Sequence, residues 1–481
     1  MRAAAFLYPW DVVGDPDAAR RVADLGVQQV TLAAAYHSTR ALTPRHPRHR
    51  VVTARHSAVL YPPDAARWAG RALRPYPQEW VAGPDPFGEA ARALTDAGLE
   101  VHSWVVLAHN GRLGAEHPAI AVRNAYGDRY PWAPCIARPE VRAYLCDLAA
   151  EAATRPGARG TELESCGWYG LEHLHAHDKI TGVPLSGAAR YLMSLCFCEV
   201  CEAGYDGLGA RAADVRGAVV RALEPAWTGA GGSEGGTGGG RAGEWRGVEA
   251  LLGGELAGLV RGWRDGAART LRREVVAAVR GAADDGFRIL LHADPAAHRC
   301  GANVGADPAD VLADTDGVVV PCTGDDAARA DALRPFAVAR TEAAARTEAR
   351  SSTEAVARTA AVAGTEAAAA RAEAVARTEG EACTEGEACT EGEARTGAAG
   401  AAPAGCVAAN LTIVTAMGGS PGTLAADAAH AAALGADELR LYHAGLAGDG
   451  DLAAVRRELA TVRREPATAR RDLGGARNSA V

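Results

Sequence analysis

The 481-residue chain contains no apolar run of the ~20 residues that a membrane-spanning helix needs, so a bundle of such helices is excluded. Its first apolar stretch, MRAAAFLYPWD, is broken at Pro9 and followed by Asp11, which is too short for the apolar region of a secretory signal. The chain is therefore expected to be cytoplasmic and free of the membrane. In that compartment its 11 cysteines act as thiols or metal ligands rather than as a disulfide framework. With a formal charge of -8 there is no overall basic field to attract nucleic acid. Lysine is nearly missing: Lys179 stands alone while Ala, Arg and Gly dominate, the usage of a GC-rich coding sequence.

What is present is ordinary for a globular protein, with 48% apolar and 23% charged residues and room for a large core. Two stretches cannot belong to that core. Residues 228–243 (TGAGGSEGGTGGGRAG) read as a flexible linker. Residues 338–405 are a low-complexity Ala/Arg/Thr/Glu insertion, disordered or an exposed helix, that ends in TEGEAC-TEGEAC-TEGEAR from Thr378 to Arg395. Six residues is too short a period for a solenoid unit of ~20 or more. Cys383 and Cys389 belong to that repeat.

The remainder alternates eight short β-rich runs with amphipathic stretches: 3–8, 27–34, 100–108, 160–165, 287–293, 317–322, 410–416 and 438–444. Several intervening stretches start near Asp, Ser or Thr and stop at Gly, as helix caps require. Eight β/α units predict an α/β protein, a (β/α)8 TIM barrel formed by residues 1–337 plus 406–465 with a flexible tail over 466–481. A doubly wound open sheet is the rival, because alternation does not show closure.

Functional groups of such a barrel gather at the C-terminal ends of its strands. Those ends carry Tyr8, Trp10, Tyr36, His37, His109, Asn110, His292 and Tyr442, with Trp168 just after the fourth, a set that suits a polar ligand with flat apolar faces, such as a sugar. Glu162 and Glu164 are two residues apart and so share one strand face. A carboxylate there must be paired, solvated or tuned for proton transfer, and Glu164, nearer the strand end, is the better general acid. Asp294 is the nearest second carboxylate, with Glu162 the other choice. Hydrolysis of a glycoside needs such a pair about 5 to 9.5 Å apart. The loop GWYGLEHLHAHDKI adds His173, His175, His177, Asp178 and Lys179, which either line the mouth or form a polar surface loop.

Cys196, Cys198 and Cys201 form C-x-C-x-x-C, soft ligands suited to a tetrahedral zinc, with Cys135 as a candidate fourth. Such a closed site would be structural, and a metal-free thiol cluster is the alternative.

Taken together, Cys135, the Pro139-Glu140-Val141-Arg142 helix start, a strand ending in Glu164 and the CFCEVC motif resemble the zinc-containing β-galactosidase barrels of glycoside hydrolase family 42 over residues 125–205. The resemblance implies that Glu164 is the acid/base and that Cys135, Cys196, Cys198 and Cys201 hold zinc. Two positions depart from the family: Leu163 replaces the Asn before the acid/base, and NLTIVTAMGGS offers Thr415 and Met417 where a seventh-strand Glu is the nucleophile. Three readings follow. One is a glycosidase. Another is a barrel that binds an oligosaccharide or small polar molecule without cleaving it. The third is a metal-dependent hydrolase using His37, His109, His292 and Asp294, although no H-x-H stands on the first strand.

Overall fold

The computed structural model describes residues 1–172, 178–229, 240–349 and 405–464. His173, His175, His177, most of the glycine-rich stretch, the hexad repeat and the tail lie outside them. The chain divides into two compact units, 1–337 with 405–481, and 338–404. The described part of the second, 338–349, is helical.

The first unit is a closed barrel of eight parallel strands. They are β1 (Arg2–Leu7), β2 (Gln29–Tyr36), β3 (Glu100–Val106), β4 (Ala158–Glu164), β5 (Arg288–Asp294), β6 (Gly317–Pro321), β7 (Cys406–Thr412) and β8 (Glu438–Tyr442). Each pairs in parallel with the next, and β8 closes onto β1 through Arg2↔Glu438. Closure removes the open-sheet rival. The strands are Val-, Leu- and Ala-rich and buried along nearly their whole length, as strands between a filled interior and a coat of helices must be. Helices start at side-chain caps, among them Asp85 on Gly88 N (2.9 Å) and Asp307 on Ala309 N (3.0 Å).

Seven of the eight strands lie within two residues of the expected runs. The exception is the seventh, which starts at Cys406 and ends at Thr412, about four residues early. Thr415 therefore sits beyond the strand, bonded to Asp451 at 2.6 Å, and Asn410 takes the interior position. Within the glycine-rich stretch a helix begins at Gly240 (Gly240–Leu252), earlier than the expected linker end at 243.

The interior is polar at mid-height. Glu162 of β4 meets Arg440 of β8 at 2.6 Å, Thr31 of β2 at 3.0 Å and His292 of β5 at 3.3 Å. Since β4 neighbours neither β2 nor β8, only the barrel interior can bring these groups together. Glu162 and Arg440 are both fully buried. Burial alone would push the Glu162 carboxyl up, but the Arg440 charge and His292 outweigh it and hold it well below the carboxylate range. Above this layer the interior turns aromatic, with Phe6, Trp104 and Tyr442 packed edge to face (Phe6–Trp104 4.8 Å, Phe6–Tyr442 5.5 Å).

Candidate functional site at the C-terminal mouth

Glu164 ends β4 and points into this aromatic layer. Trp104 of β3 donates its indole N–H to Oε2 at 2.8 Å, while Oε1 accepts no hydrogen bond among the described residues. Tyr442 is pushed up to about 12, first by burial and then by the Glu164 charge. The same charge reaches Tyr8, Tyr36, Tyr169 and His37, in each of which burial is the larger cause of the shift. Of these groups Trp104 is the one bonded to the carboxylate, and the phenols and the imidazole feel its charge.

The expected ligand-facing residues divide into two groups. His37, His109 and Tyr169 form a stack (4.7 and 4.5 Å between centroids), with Tyr36 against His37 at 4.2 Å; of these only His37 is partly exposed, Tyr36, His109 and Tyr169 being buried. Tyr442 is partly exposed. Tyr8 and Trp10, by contrast, are 2% and 1% exposed: they stack on each other at 4.3 Å and are sealed by Ala41, Val52 and Ala54 of a hairpin, Thr39–Leu42 with Val51–Ala54. They offer no open face to a sugar ring. Trp168 points away from the mouth, its N–H on the Arg264 carbonyl at 2.9 Å. Asn110 caps a short helix by accepting from Leu113 N at 3.0 Å, and His292 is committed to Glu162.

Neither proposed second carboxylate is free. Glu162 is the Arg440 partner below the mouth. Asp294 is held by Arg241 through both oxygens (2.8 and 2.9 Å) and by Arg299 at 3.2 Å. Beside it, at the ends of β5 and β6, lies a polar cavity of about 410 Å³ whose walls include Arg190, Arg241, Arg299, Glu244 and Tyr191. The metal-hydrolase set is likewise dispersed, because His292 and Asp294 have these other partners while His37 and His109 sit in the stack with Tyr169.

Two contributors, Trp104 and Arg440, were not singled out by sequence reasoning. Trp104, two residues before the end of its strand, was recoverable from the period-2 rule. Arg440 was not, since nothing local marks the partner of a buried carboxylate. His443 follows β8 and packs on Tyr8 at 4.3 Å with neither ring nitrogen bonded; burial holds it down at about 3, so it is neutral.

Below the rim, the long loops after β3 and β4 meet at a thiol cluster. Cys135 precedes the helix Pro139–Ala153, Cys196 and Cys198 precede Glu199–Gly207, and Cys201 lies in its first turn. All four are buried and their sulfurs lie within 4.8 Å of one another, an arrangement that could hold a metal ion. Hydrogen bonds among the thiols push Cys198 down and Cys135 up.

Fold and mouth define the class: a closed (β/α)8 barrel with a buried four-cysteine cluster in its rim loops. Among solved structures, the barrel is similar to α-L-fucosidase isoenzyme 2 from Paenibacillus thiaminolyticus, with a TM-score of 0.50 and 10% identity over 96% of this chain and 49% of that one. The chain thus spans about half the length of that enzyme. It is also similar to the glycoside hydrolase domain of PgaB (BpsB) from Bordetella bronchiseptica, with a TM-score of 0.50 and 13% identity over 95% of this chain and 98% of that domain. A β-galactosidase from Bacillus circulans sp. alkalophilus aligns over 66% of this chain and 39% of its own at a TM-score of 0.36 and 12% identity, too loose to bear on function. No family model and no curated protein sequence matches the chain. Among the described residues, no helix is long and apolar enough to cross a membrane.

Proposed function

We propose that the C-terminal mouth of this barrel binds a carbohydrate, with Glu164 accepting hydrogen bonds from sugar hydroxyls and Tyr36, His37, His109, Tyr169 and Tyr442 supplying flat walls. The observation that carries the reading is the state of the three carboxylates. Among the described residues Glu164 is the one of the three that keeps an oxygen unpaired, its other oxygen being held by the Trp104 indole. Glu162 and Asp294 are spent on arginines, so the pair required for two-carboxylate hydrolysis is not assembled among the described residues. Binding without cleavage is therefore the first reading. Hydrolysis is the second, with Glu164 as proton donor and Asp294 as partner after release from Arg241 and Arg299.

The thiol cluster holds a structural zinc in this reading. Zinc–thiolate bonds of ~2.3 Å at tetrahedral angles place sulfurs ~3.8 Å apart. Cys135 lies 3.7 Å from Cys198 and 3.6 Å from Cys201. The ion would fasten the two rim loops and take no part at the mouth.

The test is a panel of chromogenic glycosides and a thermal-shift screen against the corresponding free sugars, run with wild type and Glu164→Gln across pH 5 to 8. The first reading expects stabilisation of the wild type by a sugar and no chromophore release. Release by the wild type alone would establish the second. Neither stabilisation nor release would reject both.

A further inference from the structure

Between Asp24 and Asp64 the chain carries no carboxylate, and residues 40–55 within that span hold five arginines. This segment is the hairpin over Tyr8 and Trp10, Thr39–Leu42 paired antiparallel with Val51–Ala54. Burial alternates along both strands. Ala41, Val52 and Ala54 face inward and pack around Tyr8 and Trp10, while Arg40 opposite Thr53 and Leu42 opposite Val51 face solvent. Leu42 is 62% exposed and Val51 49%, an aliphatic pair with one side to water. Arg48 and Arg50 in the turn and Arg55 after the second strand are exposed as well.

The turn is fixed in place. Arg45 donates to the Ala444 carbonyl at 2.8 Å and to that of Ala447, beyond β8, and His46 Nε2 lies 2.9 Å from the Val13 carbonyl. Thr43 closes the turn, its N–H donating to the Arg50 carbonyl and its hydroxyl to the His49 carbonyl, both at 2.9 Å. Arg50 donates to the His46 and His49 carbonyls. The guanidiniums of Arg40, Arg48 and Arg55 make no hydrogen bond among the described residues, and none of these three, nor Arg50, has a carboxylate within ion-pair distance there. The carboxylates that act on the hairpin are Asp11, Asp15 and Asp449 on Arg45, and Glu79 and Glu116 on His56. Arg21 binds Asp15, Arg112 binds Glu116 and Arg45 stands by Asp11 and Asp449, so Glu79 is the member of this set left to the four outer arginines.

The place and shape of this basic face select its partner. The hairpin starts three residues after Tyr36, and the partly exposed His37 between them belongs to the mouth, so a polymer leaving the mouth on this side crosses the hairpin. Its inner face is buried on the barrel, which prevents it from entering a nucleic-acid groove as a free two-stranded ribbon does. Leu42 and Val51 are the large apolar side chains exposed on it, too little apolar area to anchor the protein in a lipid surface. They are enough for the C–H face of one sugar ring.

We propose that the outer face of this hairpin binds an acidic polysaccharide, its carboxylate or sulfate groups meeting Arg40, Arg48, Arg50 and Arg55 and a sugar ring resting on Leu42 and Val51. The proposal rests on the carbohydrate reading of the mouth for the kind of polymer, and names its charge.

The experiment measures binding of the full-length protein to polygalacturonate, hyaluronate and dextran sulfate, each beside its uncharged counterpart: the two methyl esters and dextran. Phosphatidylserine vesicles and a 20-base-pair DNA duplex complete the panel. At low salt the wild type is expected to bind at least one acidic polymer about tenfold more tightly than the uncharged form, the sum of a few exposed ion pairs, and to lose that preference as salt rises. The triple variant Arg40→Gln, Arg48→Gln, Arg55→Gln removes side chains that bond nothing in the fold, so it should keep the wild-type thermal midpoint and lose about tenfold in affinity for that polymer. Glu164→Gln should retain the preference for the acidic form. Equal binding of acidic and uncharged forms by the wild type would overturn the proposal, as would a preference that survives in the triple variant. Tighter binding of the vesicles or the duplex through the same arginines would overturn it too. The mouth reading fails separately, when Glu164→Gln binds every polymer as the wild type does.

Discussion

Arg440→Met removes the guanidinium bonded to Glu162 in the middle of the barrel and leaves a carboxylate that water cannot reach. Removing one partner of a buried ion pair costs about 3–5 kcal/mol. Thr31 at 3.0 Å and His292 at 3.3 Å still face the carboxylate, which places the cost near the low end, about 3 kcal/mol. For a chain of this size that is roughly 1 M in the urea midpoint. The pH dependence gives the sharper test. In the wild type the folded-state pKa of Glu162 is depressed, so its contribution is present above the unfolded value of about 4.3 and is lost as pH falls. In the variant burial prevails, the folded-state pKa lies above the unfolded one, and the contribution present at low pH is lost as pH rises. The deficit of the variant relative to wild type should therefore widen between about pH 4 and pH 7. Adding Glu162→Gln should recover most of the loss, because the unpaired charge is gone. Urea titrations of the three proteins at several pH values measure all of this. A deficit under about 1 kcal/mol, or one that does not change with pH, would refute the assignment of a buried, charge-neutralising pair.

Other outcomes follow from the same structure. Because burial holds His443 at about 3, the folded state resists a proton that the unfolded chain takes up below about 6.5, and stability should fall by about 1.4 kcal/mol between neutral pH and pH 5.5. His443→Gln should flatten that part of the curve in urea titrations. Metal analysis should find one zinc per chain. Cys198→Ser, or a strong chelator applied during partial unfolding, should remove it and lower the thermal midpoint. Gly114→Ala would place a Cβ 1.9 Å from the Pro131 carbonyl oxygen, a backbone atom that cannot turn aside, and should cost about 1–3 kcal/mol by denaturant unfolding.

Sequence periodicity located strands where large aliphatic residues are dense, as in GVVVP of β6 and RILLHAD of β5. It shifted β7, because Cys406-Val407-Ala408-Ala409 carries little β signal and the Leu-Thr-Ile-Val run after it carries much. Charge pairing was less legible still. Glu162 and Arg440 are 278 residues apart, and Asp294 and Arg241 are 53. Which of three strand-end carboxylates stays free is decided by these long-range partners, so sequence could nominate Glu164, Glu162 and Asp294 together but could not rank them by pairing. The same holds for aromatics: Tyr8 and Trp10 stand at a strand end, and a hairpin from another loop decides that they are covered. The cysteine motif, short and local, was readable in full, and the structure brings its three sulfurs to Cys135.

The central claim is that Glu164 holds a carbohydrate at the mouth, and a glycan array probed with labelled wild type and Glu164→Gln tests it most directly. The account predicts that the wild type retains a defined subset of glycans and that the variant, folded to the same thermal midpoint, loses them. Retention of the same glycans by Glu164→Gln, or no glycan retained by the wild type, would contradict it.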